Sequence, residues 1–156
     1  MKIYLAARYS RRQELLGYAA QLEELGHSVT SRWLAGNHQI RDDQLNDGLD
    51  ELALAQRYAR EDLVDVAQAD LVISFTEEAR STTSRGGRHT EYGFALALRK
   101  RLWLIGPREN VFHCAADGIF ADWTGALKAL LLLDELGLEP TDAFRAPPRR
   151  EAGAHG

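Results

Sequence analysis

The stretch RGGRHTEYGFALAL, residues 85–98, places a single carboxylate, Glu91, behind a loop of Ser, Thr, Arg and Gly. The small and apolar residues that follow predict a helix over about 88–100, with Glu91 in its first turn. A carboxylate in that position interacts favourably with the helix dipole, which is an ordinary structural role. The dipole and Arg88 would also keep Glu91 ionised, as a nucleophile requires. Glu91 is therefore predicted to be either a dipole partner or a nucleophile.

A second carboxylate, Asp62, lies on the helix predicted before the third strand. Paired carboxylates suit chemistry at an acetal carbon, where one group attacks and the other handles protons. Glu61, Asp65 and Asp70 are close to Asp62 in the sequence, and spacing alone does not choose among them.

The loop RSTTSRGGR, residues 80–88, offers hydroxyls, flexible backbone and cations just before the same helix. Exposed N–H groups and the helix dipole make such a place favourable for an anion. The loop lacks the GKS or GKT of a P-loop. Its adjacent glycines follow the third strand, whereas the dinucleotide fingerprint follows the first. The loop is therefore either a small-anion site or an ordinary surface loop.

The rest of the chain predicts the elements that must position these residues. Apolar runs indicate strands at 2–7, 28–33, 69–75 and 101–106, with a short one near GIFAD at 118–122. Helical periodicity indicates a helix between the N-cap Ser10 and Gly26, and others at about 48–67, 88–100 and 122–137.

Strands that alternate with helices indicate a single-domain α/β fold, a Rossmann-like or flavodoxin-like three-layer sandwich. Its five-stranded parallel sheet is expected to have the order 2-1-3-4-5. The domain should span residues 1–138, and the tail 139–156, rich in Pro, Arg, Ala and Gly, should be flexible. Ligands bind at the carboxyl ends of the strands in such sheets. All the unusual segments follow strand ends, so one ligand site is predicted at that edge.

The composition narrows the class of protein. The 156 residues, 45% hydrophobic and 27% charged, indicate one globular domain. The net charge of -4 argues against a nucleic-acid partner, and no apolar run reaches the roughly 20 residues that span a bilayer. With no signal-peptide pattern and a single cysteine, Cys114, a cytoplasmic protein is expected. Local groups of arginine in this acidic chain suggest a small anionic ligand; they are Arg8, Arg11 and Arg12, and Arg80, Arg85 and Arg88.

The segments EDLVDVAQADLVISF (61–75) and GGRHTEYGFALALRKRLWLIG (86–106) resemble the nucleoside 2-deoxyribosyltransferase superfamily, which includes the deoxynucleoside 5′-monophosphate N-glycosidases. The resemblance extends from KIYLAARYS through LWLIG. It is carried by an Asp-Leu ahead of QADLVI, a glycine loop and Glu-aromatic-Gly-x-Ala. It implies a Rossmann-like fold and a Glu nucleophile that attacks C1′ of the sugar, a role that falls on Glu91. The Asp that assists the base or sugar falls on Asp62, and the aromatic that positions substrate and nucleophile falls on Tyr9.

The loop before Glu91 is longer and richer in arginine than the Ser-x-Gly loop of the relatives, so phosphate ligands are not carried over from the resemblance. Trp33, at the predicted end of the second strand, either stacks on a nucleobase or belongs to the core. The other candidate substrate-binding or phosphate-binding residues are Arg8, Ser10, Ser81, Ser84, Gly87, Arg88 and Asn110.

The resemblance implies cleavage or transfer of the N-glycosidic bond of 2′-deoxynucleosides or their 5′-monophosphates, through a glycosyl ester on Glu91. A ribonucleoside monophosphate N-glycosidase and a catalytically silent nucleotide-binding module are the alternatives. No metal or other cofactor is expected, and His38, His89 and His113 are too scattered for a metal triad. The leucines at 122–137 exceed what one helical face can bury in a monomer, so a homodimer or larger homo-oligomer is expected.

Overall fold

The computed structural model describes residues 1–39, 49–78 and 86–138, and the predicted tail lies outside them. The strands are β1 (Lys2–Ala6), β2 (Ser28–Val29), β3 (Leu71–Phe75), β4 (Arg101–Ile105) and β5 (Gly118–Phe120). The α-helices are α1 (Arg12–Glu24), α2 (Leu49–Gln68), α3 (Gly87–Ala97) and α4 (Trp123–Leu136). Within the same residues, 3-10 helices cover Tyr9–Arg11, Arg32–Ala35 and Val111–Ala115. None of the helices described is both long and apolar enough to cross a membrane.

The strands form one parallel sheet in the order β2-β1-β3-β4-β5, which confirms the predicted α/β fold and strand order. β1 and β3 pair at its centre, where Tyr4 lies beside Val72 and Ala6 beside Ser74. Every residue of β3 is buried, as expected for a central strand of a parallel sheet. Because all strands run the same way, the segments that follow β1, β3 and β4 meet at one edge.

Aromatic contacts and one hydrogen bond show which helices cover each face of the sheet. Phe75 of β3 stacks with Tyr18 of α1, with ring centroids 5.7 Å apart, and Tyr18 stacks with Trp123 of α4 at 4.4 Å. Tyr4 of β1 faces the other way and reaches Glu91 of α3, which packs beside α2. The molecule is therefore a three-layer sandwich, with α1 and α4 on one face and α2 and α3 on the other.

The second strand is shorter than predicted, because side chains take over its pairing with β1. Beyond Val29, Ser31 Oγ accepts a hydrogen bond from Leu5 N at 2.7 Å, and Trp33 Nε1 donates to Leu5 O at 2.9 Å. These contacts satisfy the backbone groups of Leu5 that a longer strand would have paired. The chain turns into a 3-10 helix there, so Trp33 does not lie at a strand end.

The first α-helix begins later than predicted. Ser10 lies within the preceding 3-10 helix and is exposed, so it is not the N-cap of α1. The residue before α1 is Arg11, which makes no capping bond through its side chain. Its guanidinium binds Glu14 instead, with 2.8 Å between Nε and Oε2.

The last helix, α4, is bounded as its sequence predicts. Asp122 caps the N-terminus by accepting a hydrogen bond from Gly125 N at 2.9 Å, and Gly137 ends the helix with φ of 61°. The helix still leaves several leucines at the surface; Leu131 is 36% exposed, Leu132 54% and Leu136 59%. Contact between copies of the chain through this face stays a prediction.

Candidate active site

Glu91 lies in the second turn of α3, not in the first turn as predicted. The helix begins at Gly87, and Gly86 before it has φ of 82°, a left-handed conformation that suits glycine. Glu91 is therefore the fifth helical residue, beyond the first turn where the helix dipole acts most strongly. The position of Glu91 therefore does not favour a purely structural role as a partner of the helix dipole.

The hydroxyl of Tyr4, in the middle of β1, donates a hydrogen bond to Glu91 Oε1 at 2.9 Å. Glu91 Oε2 is buried and has no hydrogen-bond partner among the described residues. One oxygen of the carboxyl group is thus held in place, and the other is unused by the part of the chain that the structure describes. Tyr4 was not among the predicted site residues. The signal for it was a phenol within the buried strand KIYLA, since a buried tyrosine hydroxyl needs a partner.

The surroundings of Glu91 raise its pKa to about 8. Burial is the largest cause, because it removes water from the carboxylate, and the negative charge of Asp62 adds to the effect. The hydrogen bond from Tyr4 and the charge of Arg88 act in the opposite direction but are weaker. The prediction that the helix N-terminus and Arg88 keep Glu91 ionised is therefore wrong, since burial outweighs them.

Asp62 of α2 is the second carboxyl group of the site. Its Oδ1 is buried and, within the described part of the chain, accepts no hydrogen bond. Burial raises the pKa of Asp62 to about 7, helped by the charges of Asp65 and Glu61 and opposed by Arg32. Asp62 and Glu91 both raise the pKa of Tyr4 as well, after the larger effect of its burial. Tyr4, Asp62 and Glu91 therefore form one electrostatically coupled group.

The structure distinguishes Asp62 from the acids beside it in the sequence. Asp65 is buried and accepts hydrogen bonds from Arg32 Nε at 2.8 Å and from Arg32 N at 3.0 Å. Glu61 and Asp70 have partners too. These are His38 Nε2 for Glu61, at 2.9 Å, and Lys2 N for Asp70, at 2.7 Å. The three neighbours of Asp62 thus have structural roles, a distinction that spacing could not supply.

Arg88 and Asn110, both predicted to bind substrate, take part in contacts within the protein. Arg88 is 4% exposed, and its Nη2 lies 2.5 Å from Glu109 Oε1. Asn110 caps the following 3-10 helix by accepting a hydrogen bond from Phe112 N at 3.0 Å. These contacts fix both side chains next to α3, and their role in substrate binding stays a prediction.

Arg8 lies at the carboxyl edge of the sheet, where the segments after β1 and β3 meet. Its Nε is 3.2 Å from Glu77 Oε1, and Arg11 Nη1 is 3.5 Å from the same oxygen. Ser10, in this segment, is exposed to solvent. Gly87 opens α3, and no described atom lies within 4 Å of the position that a Cβ there would take. Arg8, Ser10 and Gly87 therefore remain accessible to a ligand.

Tyr9 and Trp33 contact each other, with ring centroids 6.1 Å apart. The hydroxyl of Tyr9 donates to Gly36 O at 2.8 Å, so the phenol that contacts Glu91 is Tyr4 and not Tyr9. Trp33 is 5% exposed and belongs to the core, the alternative that the sequence left open beside base stacking. The role that the resemblance implies for Tyr9 stays a prediction.

Ser81 and Ser84, two of the candidate phosphate ligands, lie outside the described residues. Within the described ranges, no three side chains of His, Cys, Asp or Glu are grouped so that they could hold a metal ion.

Together, the two carboxyl groups can carry one proton near neutral pH. Their pKa values, about 7 for Asp62 and about 8 for Glu91, describe a coupled pair. With one proton bound, the pair offers an acid and a carboxylate at the same time. Such a pair can donate a proton to a leaving group while it attacks or orients an electrophilic carbon.

The fold and the site define an α/β protein with a five-stranded parallel sheet and two carboxyl groups, on α2 and α3, that each have one buried oxygen. No protein-family model and no curated protein sequence matches the chain. Among solved structures, the chain is similar to the CMP N-glycosidase BcmB of Clostridium botulinum. The two share 21% sequence identity and a TM-score of 0.53, over 85% of this chain and 99% of that one. At this identity, the likeness shows that the fold is shared.

Proposed function

We propose that the protein is an enzyme that breaks the N-glycosidic bond of a nucleoside or nucleoside 5′-monophosphate, by hydrolysis or by transfer to another base. The observation that carries the proposal is the pair of Asp62 and Glu91, each with a raised pKa and one buried oxygen unused by the described residues. Cleavage at an acetal carbon needs an attacking carboxylate and an acid. The likeness to a solved structure named as a CMP N-glycosidase supports the same class of reaction.

In the first step, the pair reacts in the form that carries its proton on Asp62. Because the pKa of Glu91 is the higher of the two, this is the less populated of the two singly protonated forms. In this form the carboxylate of Glu91 attacks C1′ while the bond between C1′ and the base nitrogen breaks. The electron pair of that bond goes to the base, which takes the proton of the Asp62 carboxyl group. Tyr4 engages Glu91 Oε1, which leaves Oε2 as the attacking atom. The products are the free base and a glycosyl ester on Glu91.

In the second step, the ionised Asp62 accepts a proton from water, whose oxygen attacks C1′. The ester bond breaks, and Glu91 leaves as a carboxylate. The pair then again holds one proton, so the cycle needs no other titrating group. A second nucleobase in place of water gives the transfer reaction.

Two sugars are candidates for the substrate. The resemblance in the sequence favours 2′-deoxynucleosides and their 5′-monophosphates. The similar solved structure is named for CMP, which is a ribonucleotide. That observation makes a ribonucleoside monophosphate N-glycosidase the second candidate.

A 5′-phosphate fits the cations at the carboxyl edge of the sheet. The Arg8 side chain remains 38% exposed beside Glu77, so its guanidinium can also contact an incoming anion. A charge-assisted contact contributes about 1.5–3 kcal/mol, or roughly a tenfold to hundredfold preference. We therefore expect monophosphates to be better substrates than nucleosides.

The experiment is an assay for released base. The protein is incubated with ribonucleosides, 2′-deoxyribonucleosides and their 5′-monophosphates, with and without an acceptor base, and the products are separated by chromatography. We expect release from at least one monophosphate, with kcat/KM about tenfold or more above that of its nucleoside. Glu91→Gln is the matched control, because it keeps the shape of the side chain and removes the nucleophile.

No released base from any substrate would contradict the proposal and favour a nucleotide-binding module. Equal kcat/KM for nucleosides and monophosphates would leave the reaction standing and show that the arginines are surface charge.

A further inference from the structure

A third buried oxygen, again without a partner among the described residues, lies in the same layer as the carboxyl pair. Ser74 of β3 is 1% exposed, and its Oγ makes no hydrogen bond to any described residue. A buried hydroxyl without a partner destabilises the folded chain, so such groups are uncommon and call for an explanation. Ser74 was not among the predicted site residues.

The strand register places Ser74 on the face that carries the site. Ser74 lies beside Ala6, two residues beyond the Tyr4–Val72 pair, and positions two apart on a strand share a face. Phe75, the next residue, points the other way and stacks on Tyr18 of α1. Ser74 therefore faces α2 and α3, as Tyr4 does.

Ser74 and the start of α3 both lie towards the carboxyl edge of the sheet. β3 ends at Phe75, so Ser74 is one residue from the carboxyl edge. α3 starts at that edge with Gly87, packs on β1, β3 and β4, and carries Glu91 in its second turn. α3 runs in the opposite direction to β3. The first turns of α3 therefore pack near the last residues of β3. Ser74 Oγ, Asp62 Oδ1 and Glu91 Oε2 thus lie in one layer, all buried and all unpartnered within the described residues.

We propose that Ser74 Oγ binds a hydroxyl group of the substrate's sugar. The proposal rests on the function proposed above and adds a residue that selects the sugar. Glu91 has to reach C1′, so the sugar is the part of the substrate that lies against the carboxyl pair. A serine hydroxyl can both donate to and accept from a sugar hydroxyl. That contact would satisfy an oxygen for which the described residues supply no partner.

The experiment compares Ser74→Ala with the wild type on nucleoside 5′-monophosphates that differ in one hydroxyl: the ribonucleotide, its 2′-deoxy form and its 3′-deoxy form. We expect kcat/KM of Ser74→Ala to fall about threefold to tenfold for substrates that carry the bound hydroxyl, the size of one neutral hydrogen bond. The loss should vanish for the one substrate that lacks it, which identifies the hydroxyl. The Tm of Ser74→Ala should not fall, because the hydroxyl has no partner to lose among the described residues.

Ser31→Ala is the matched control. Ser31 is also a buried serine near β1, but its Oγ is bonded to Leu5 N at 2.7 Å. We expect this variant to lose Tm and to keep the wild-type ratios among the three substrates.

A binding measurement separates failure of this inference from failure of the proposed reaction. Calorimetric titration with ribose 5-phosphate and 2-deoxyribose 5-phosphate needs no turnover. If the sugar phosphates bind Ser74→Ala more weakly than the wild type, the sugar contact is supported even when the wild type releases no base. Absence of base release would then overturn the proposed reaction alone. The assignment of Ser74 would be overturned if Ser74→Ala had the same kcat/KM and the same affinity for the sugar phosphates as the wild type. It would also be overturned if Ser74→Ala lost equal kcat/KM on all three substrates. Absence of both base release and sugar phosphate binding by the wild type would overturn both proposals.

Discussion

Asp62 and Asp65 lie one turn apart on α2, and their surroundings are opposite. Asp65 is 3% exposed and is fully engaged by the side chain and backbone N–H of Arg32. Asp62 has a buried Oδ1 without a partner in the described structure and a pKa raised to about 7. A buried carboxylate with partners holds the fold together, whereas one without partners has a free-energy cost that a function can explain.

The same contrast recurs on α3. Arg88 is paired with Glu109, whereas Glu91, three residues further on, has an Oε2 to which no described residue is bonded. Both comparisons divide the buried charges of this face into a structural set and a candidate catalytic set. The division predicts that substitutions in one set change stability and that substitutions in the other change rate.

The largest expected effect is that of Glu91→Ala or Glu91→Gln on turnover. We expect kcat to fall by about 10⁴-fold or more, as happens when the nucleophile of a catalytic unit is removed. Mass spectrometry should detect a sugar ester on the wild-type protein and none on the variants. Retained activity in Glu91→Ala would place Glu91 in the structural set and remove the basis of the mechanism.

The stability of Glu91→Gln tests the raised pKa of the wild-type residue. Since folding raises the pKa of Glu91 to about 8, the folded protein keeps a proton that the unfolded chain loses at lower pH. The wild type should therefore lose stability as the pH rises from the ordinary carboxyl range towards that value. Glutamine has no such proton, so the variant should gain Tm relative to the wild type between about pH 5 and about pH 8.5. A difference in Tm that does not change with pH would contradict this account.

The next prediction is that Asp62→Asn and Asp65→Asn have opposite effects, one on kcat and the other on stability. We expect Asp62→Asn to lose about 10²–10⁴-fold in kcat, since it removes an acid and base. Its Tm should not fall and should rise near neutral pH, because folding raises the pKa of Asp62 as it does that of Glu91. Asp65→Asn should keep kcat and lose about 1–3 kcal/mol of stability, because Arg32 loses a buried charged partner. Denaturant unfolding and steady-state kinetics on the same two preparations measure both outcomes. Loss of kcat in Asp65→Asn together with loss of stability in Asp62→Asn would contradict the prediction. It would show that the hydrogen-bond partners of a carboxyl group do not reveal its role.

The smallest effect is expected for Tyr4→Phe, compared with Tyr9→Phe. Removing the Tyr4 hydroxyl deletes the bond to Glu91 Oε1, which should cost about tenfold in kcat/KM. That bond favours the carboxylate, so its loss should raise the pKa of Glu91 and move the acidic limb of the rate profile to higher pH. The Tyr9 hydroxyl binds Gly36 O, so Tyr9→Phe should leave this limb unmoved. A shift in Tyr9→Phe alone would restore the role that the resemblance assigns to Tyr9.

The fold could be predicted because its determinants are local. Apolar runs, helical periodicity and the glycine after α1 reveal the alternation of strands and helices, and the rules of parallel sheets then fix the strand order. The length of β2 could not be predicted in this way. It depends on Ser31 and Trp33 satisfying the backbone of Leu5, a contact between residues far apart in the sequence.

The site was predictable in part for the same reason. Glu91 and Asp62 could be selected as candidates from residue type, position and resemblance. The sequence does not show which buried charges find partners, so it could not reveal that Arg32 engages Asp65, that Arg88 engages Glu109, or that burial raises the pKa of Glu91. Tyr4 and Ser74 were missed because a polar atom within a buried strand becomes informative only when its neighbours are known.

The alternation along β3 has a consequence for protein engineering. Phe75 joins Tyr18 and Trp123 in an aromatic stack, while Ser74, one residue before it, faces the candidate site. Under the proposed function, substrate range would depend on one side of this strand, while the aromatic stack on its other side contributes to stability. Stabilising substitutions in the α1 and α4 layer would give a starting variant that tolerates destabilising changes in the α2 and α3 layer. Directed evolution towards a new sugar or base could then sample that second layer without losing folded protein.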